Sequence, residues 1–166
     1  MNISNYLTNL SAKGYCWFTS AQAKEALGAS DIAVRAALRR LKQKGALAEP
    51  HRGFHIIVPP EFRILGCLPA DYFIHDLMHH FGDAYYVGML SAAQYYGATH
   101  HQPQQLQIVT QKKRRPIECG RVKIVFIAKK NTKIMPVQTF NTKQGIIIVS
   151  APEVTAMDLV LYPHRC

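Results

Sequence analysis

Arg35, Arg39 and Lys42 recur at the i, i+4, i+7 spacing that lines side chains along one side of an α-helix, and Val34, Leu38 and Leu41 repeat that spacing about 100° round. An apolar stripe packs inward; the cationic stripe beside it is free to meet an anion. On duplex DNA such a helix can present guanidinium groups to base edges and phosphates. Arg35 and Arg39 are the candidates for base edges or adjacent phosphates, with Ser30, Arg40 and Lys42 supporting them at phosphates. Arg52 and the run Lys112, Lys113, Arg114 and Arg115 are candidates for phosphate charge alone, because counterion release rewards charge density and needs no exact spacing. The plain alternative for all of these is solvated surface. Residues 1–60 argue against it for the helix, since they carry eight Lys or Arg against three acids, Glu25, Asp31 and Glu49, and five of the eight lie within residues 35–44.

Other chemistries find less support. His75 and His79 would share a helix face as two metal ligands do, but the position after His75 is Asp76 and no third ligand is near in sequence, so no metal or other cofactor is expected. Cys16, Cys67, Cys119 and Cys166 are scattered without close pairing or zinc-like spacing, and reduced thiols are expected. The acids after the linker do not form the strand-borne Glu-x-Lys arrangement of a metal-dependent nuclease. No nucleophile elbow surrounds Ser91, and nothing comparable surrounds Cys119. No catalytic residue is therefore assigned, and the protein is not expected to be an enzyme.

The elements that must hold the cations follow from local signals. Ile3, Tyr6, Leu7 and Leu10 predict a short helix ending near Gly14, and Thr19 with Gln22 forms a capping box that opens a second, closed at Gly28. Ser30 caps the third helix and Gly45 ends it. "ALAE", "PHRG" and "FHIIV" then read as strand, turn and strand with Arg52 at the tip, the outline of a winged helix-turn-helix over residues 1–60. Three prolines and a glycine near residues 59–70 place a domain boundary. Beyond it "DYFIHDLMHHFG" and "AYYVGMLSAAQYYG" predict two helices, "LQIVTQ", "RVKIVFIA" and "GIIIVSA" three strands with Lys112–Arg115 in a hairpin loop between the first two, and "PEVTAMDLVLY" a last helix with Pro152 and Glu153 in its first turn. The expected fold is α+β: the winged module, then a small domain over 70–166 in which helices precede a mixed or antiparallel sheet.

A net charge of +10 and a pI near 9.6 favour nucleic acid as partner over a membrane, and 48% hydrophobic residues suit a globular protein. No apolar run approaches a bilayer span and the N-terminus lacks the order of a secretion signal, so a cytoplasmic protein is expected.

"YYVGMLSAAQYYGATHHQPQQLQIVTQKKRR" and "GIIIVSAPEVTAMDLVLYPHR", together with "GASDIAVRAALRRLKQKGAL" and "RGFHIIVPPEF", resemble the AbiEi family of antitoxins and transcriptional regulators of type IV, abortive-infection toxin–antitoxin systems. "SAPEVTAMDL" looks like that family's "TPERTLLDL" junction, with Val154 in place of the arginine. The resemblance implies a repressor that binds inverted repeats in its own promoter and a nucleotidyltransferase-like toxin as functional partner. It also implies further C-terminal helices after "LYPHRC", so that the chain is read as a short member or a truncated one. Two alternatives remain at this stage: an adaptor that binds the toxin directly, with Tyr85, Tyr86, Tyr95 and Tyr96 as its patch, and a DNA-targeted nuclease.

Overall fold

The computed structural model describes residues 1–100 and 104–165; Cys166 and residues 101–103 of the quoted "ATHHQPQQ" stretch lie outside the described residues. The protein is α+β and divides into two units, Met1–Pro69 with Glu118–Val122, and Ala70–Ile117 with Lys123–Cys166.

The first unit holds α1 (Ile3–Ala12), β1 (Trp17–Thr19), α2 (Ser20–Leu27), α3 (Asp31–Gln43), β2 (Leu47–His51) and β3 (Phe54–Ile57). Its helices begin and end where side-chain chemistry dictates. Asn2 caps α1, Thr19 and Gln22 complete the reciprocal capping box of α2, and Ser30 accepts from the Ala33 N–H to cap α3. Gly28 closes α2 in the left-handed conformation. Tyr6, Phe18, Ala23, Val34, Leu38 and Leu47 form the core. The strand β1 was not anticipated from sequence; it is three residues long and its last residue, Thr19, doubles as the cap of α2. It pairs antiparallel with β3, giving a three-stranded sheet in the order β1-β3-β2. Strand β2 continues through Pro50 with an irregularity between Ala48 and His51, so only Arg52 and Gly53 remain to turn the chain.

The second unit contains α4 (Ala70–Phe81), β4 (Tyr85–Val87), α5 (Met89–Tyr95), β5 (Leu106–Thr110), β6 (Ile117–Cys119), β7 (Val122–Ala128), β8 (Val137–Thr142), β9 (Gly145–Ser150) and α6 (Pro152–Leu161), with the ends of β6 and β7 in residues 118–122. Its mixed six-stranded sheet runs β6-β7-β5-β4-β9-β8.

The helix expected over "AYYVGMLSAAQYYG" is corrected: its first part is the buried strand β4, paired antiparallel with β5 and parallel with β9. Tyr-Tyr-Val suits a pleated, fully buried position. The strand ends at Gly88, where a Cβ would stand 2.8 Å from Val109 Cγ2, so that no side chain fits, and Met89 turns into α5 with a positive φ of 55°. Helices therefore alternate with the sheet instead of preceding it. Strands β6 and β8 were also missed. Because β5 and β7 are parallel neighbours, Lys112–Arg115 connects β5 to β6 and is not the turn of a hairpin between the first two expected strands.

Candidate nucleic-acid interface

Packing Val34 and Leu38 into the core turns the neighbouring side of α3 toward an open groove of about 700 Å³ between α2, α3 and the β2–β3 turn. Arg35, Lys42 and Arg52 line this groove, joined by Lys24 of α2, which sequence reasoning did not single out. Three of the expected residues thus meet although the chain separates them. Arg39 is exposed one turn beyond Arg35, outside the groove lining, and Arg40, five residues on at 100° each, faces about 140° away from Arg35. Ser30 lends its hydroxyl to the helix cap at 3.3 Å from the Ala33 nitrogen.

Two acids lie among these cations. Asp31 pairs with Lys24 at 2.9 Å, and Lys24 donation holds the Asp31 carboxyl below the ordinary range, helped by Arg35. Glu49 pairs with Lys42 and also accepts from the Gly53 N–H at 3.0 Å, which fastens the turn that carries Arg52. Burial opposes the ionisation of Glu49, and the bonds from Lys42 and Gly53 overcome it, leaving its carboxyl below its usual value.

Behind the groove lies His55, 2% exposed, with Nε2 2.8 Å from Ser20 Oγ and its ring stacked on Phe18. Burial lowers its affinity for a proton despite the nearby Glu49 carboxylate. A serine, a histidine and a glutamate in sequence-distant positions invite comparison with a nucleophile relay. Here, however, Glu49 Oε1 approaches the same Nε2, at 3.9 Å, while Nδ1 is buried without a partner. The carboxylate therefore does not orient the imidazole from behind, as a relay requires. Strand alternation could not have flagged His55, because Phe54, His55 and Ile56 are all buried.

The second basic segment is only partly available. Arg114 is bound to Asp83 and lies 4.0 Å over the Phe81 ring, while Lys112 stands 3.4 Å from the same carboxylate. Burial resists ionisation of Asp83, yet the two cations hold its carboxyl below the usual range. Lys113 and Arg115 are exposed and pair with no acid among the described residues.

Other candidates fall differently. His75 Nδ1 is 3.0 Å from the Tyr85 hydroxyl, and among the described residues no group of three or more His, Cys, Asp or Glu could hold a metal ion. The tyrosine patch is corrected: Tyr85 and Tyr86 are buried in β4, and Tyr95 and Tyr96 are half-buried against Phe140, because the YYV segment is a central strand. No helix among the described residues is long and apolar enough to cross a membrane.

The "SAPEVTAMDL" junction has a structural role that sequence reasoning missed. Ser150 and Thr155 share a hydrogen bond of 2.7 Å across the start of α6, and Val154, at the departed arginine position, is buried in the core beside Tyr86. Asp158, fully buried, accepts from the Tyr86 hydroxyl at 2.9 Å and from Lys129 Nζ at 2.7 Å, tying α6 to β4 and to the segment after β7. Ser150, Thr155 and Asp158 of the motif are thus spent on the fold. Residues 86–166, which contain this junction, match the family of the AbiEi antitoxin C-terminal domain. No curated protein matches the chain.

Proposed function

Residues 86–166 belong to the AbiEi antitoxin C-terminal domain family, which gives the chain a role in a toxin–antitoxin system, and from that premise we propose that it is a DNA-binding repressor of its own operon. In this reading the first unit is a winged helix-turn-helix, with α3 as the recognition helix and the β2–β3 turn as the wing. The chain binds inverted repeats in its promoter and controls a nucleotidyltransferase-like toxin made from the same operon. The protein acts without catalysis and in the cytoplasm.

The observation that carries the reading is the groove that gathers Arg35, Lys42, Lys24 and Arg52 from three elements beside the exposed Arg39. Duplex DNA presents phosphates on both walls of a groove, so cations from a helix and a turn can be engaged together. Arg35 and Arg39 reach base edges or the phosphates next to them. Ser30, Arg40 and Lys42 act at phosphates, as do Arg52 and the Lys112–Arg115 segment, in which Lys113 and Arg115 make the contacts and Lys112 and Arg114 stay with Asp83. Asp31 and Glu49 temper the positive field, which weakens binding to arbitrary sequence more than to a site that offers base contacts.

Titrating the chain into its upstream DNA tests this directly. Arg35→Ala and Arg39→Ala should each cost about 1–3 kcal/mol of specific binding if the residue reads a base, with circular dichroism and thermal midpoint unchanged. Normal operator binding by both variants would end the recognition-helix assignment. A promoter–reporter strain should show repression that depends on these residues.

A second reading, direct contact with the toxin, is favoured by one feature. Helix α6 exposes Met157, Val160 and Leu161 on one side, an apolar face in the antitoxin domain itself. Val160→Glu should abolish co-purification with the toxin under this reading and leave DNA binding intact.

A further inference from the structure

Two glycines mark a place in the first unit where distant segments cross. Gly66 and Gly120 both have positive φ, 77° and 59°, and a Cβ on Gly66 would stand 2.9 Å from the Gly120 Cα, while one on Gly120 would collide with the Leu65 carbonyl oxygen. The Arg121 N–H donates to that same carbonyl at 2.8 Å. Nothing larger than hydrogen fits between the chains.

Cys67 follows Gly66 and Cys119 precedes Gly120, so the crossing brings the two thiols together. Both are buried, neither is in a disulfide, and the Cys67 thiol hydrogen-bonds to the Cys119 sulfur. Cys119 receives a second hydrogen bond, from the backbone N–H of Glu49 on the edge strand β2. The donation by Cys67 and the Glu49 N–H hold the Cys119 thiol below its ordinary value against the effect of burial, and the same pairing together with burial pushes the Cys67 thiol up. Access assigns the roles: Cys119 is 9% exposed and Cys67 fully enclosed, so an oxidant meets Cys119 first and Cys67 beside it is the resolving thiol.

We propose that Cys67 and Cys119 form a reversible redox-modification site, in which a peroxide converts the pair into an intramolecular disulfide. The Cys119 thiolate attacks one peroxide oxygen, the O–O bond breaks, and the leaving hydroxide takes the proton given up by Cys119 to become water. The Cys67 sulfur then attacks the resulting sulfenic acid, forming the S–S bond while the sulfenic hydroxyl departs with the Cys67 proton as a second water. Two thiols lose two electrons and hydrogen peroxide gains them. A small dithiol restores the pair by exchange.

The site communicates with the groove through one residue. Glu49, whose N–H is held by Cys119, is also the residue whose carboxylate binds Lys42 and the Gly53 N–H. A disulfide sulfur is a poorer acceptor than a thiolate-like one, so oxidation loosens the Glu49 N–H.

The test uses the full chain carrying Cys16→Ser and Cys166→Ser, treated with hydrogen peroxide under native conditions. Non-reducing peptide mapping should recover a Cys67–Cys119 cross-linked peptide that dithiothreitol removes, and amide exchange at Glu49 should quicken on oxidation and recover on reduction. In a further Cys67→Ser variant, dimedone should label Cys119 as the trapped sulfenic acid. Should that variant not fold, the mapping of the two-thiol protein decides alone. The proposal is overturned if both thiols stay unmodified until denaturant is added, or if Cys119 proceeds to sulfinic acid while Cys67 remains a free thiol.

Discussion

His55 stays neutral inside the fold because burial penalises the imidazolium more than the neighbouring Glu49 carboxylate rewards it, with the Lys42 charge adding to the penalty. The unfolded chain therefore binds the proton more readily than the native one. Stability from this group is complete above the ordinary imidazole value of 6.5 and is lost as pH falls from there through the lowered native value. Glu49 and Asp83, both held below their ordinary carboxyl values, withdraw their contributions only at lower pH, from about 4.5 and 3.8 downward, so the two windows separate. Urea midpoints measured from neutral pH to about pH 5 should decline for the native chain and stay flatter for His55→Gln. An equal decline in both would place the titrating group elsewhere. The sequence could show a histidine in a hydrophobic strand; it could not show that Ser20 takes one ring nitrogen and leaves the other buried and unpaired.

At the scale of elements, α6 and the loop after β5 both use ionic groups, to opposite ends. Asp158 is sealed with Lys129 and Tyr86, and Asp158→Ala would leave Lys129 largely buried beside an unpaired phenol. Breaking one partner of a buried pair costs about 3–5 kcal/mol, which denaturant unfolding of the variant should reveal. In the β5–β6 connection the cations divide by partner. Arg114 serves Asp83 and Phe81, so Arg114→Ser should lower the thermal midpoint, whereas Lys113 and Arg115 face solvent and their removal should spare it. If Lys113 and Arg115 contact phosphates, each change to Ser should reduce the slope of log K against log salt by about 0.9. An unchanged slope would make the segment a solvated connection. Four adjacent cations look alike in sequence, and an aspartate near position 83 is needed to tell them apart. The missed strand β4 has a similar origin: YYVGMLSAA carries enough apolar residues for a helix, and only its pairing with β5 and β9 selects the strand.

For the whole molecule, the first unit takes in residues 118–122 in addition to residues 1–69. A fragment ending at residue 69 would leave the Leu65 carbonyl without the Arg121 N–H and Cys67 without its thiol partner. Such a fragment should unfold at lower urea concentration than the same residues in the full chain, as read by the fluorescence of Trp17. Equal midpoints would show that the late segment adds nothing. Sequence alone determined the caps of α2 and α3, the approximate extents of α1, α2 and α3, the excess of positive charge on α3, and the ordered motifs of the antitoxin domain. These depend on hydrogen bonds between residues three or four apart and on side-chain periodicity, both of which a linear reading contains. Tertiary structure decided which cations remain available, why the junction carries Ser150, Thr155 and Asp158, and that Cys67 meets Cys119. Each of those outcomes joins residues from separate elements, and ion pairing, strand pairing and close backbone approach are set by how the chain returns on itself, which no local pattern records.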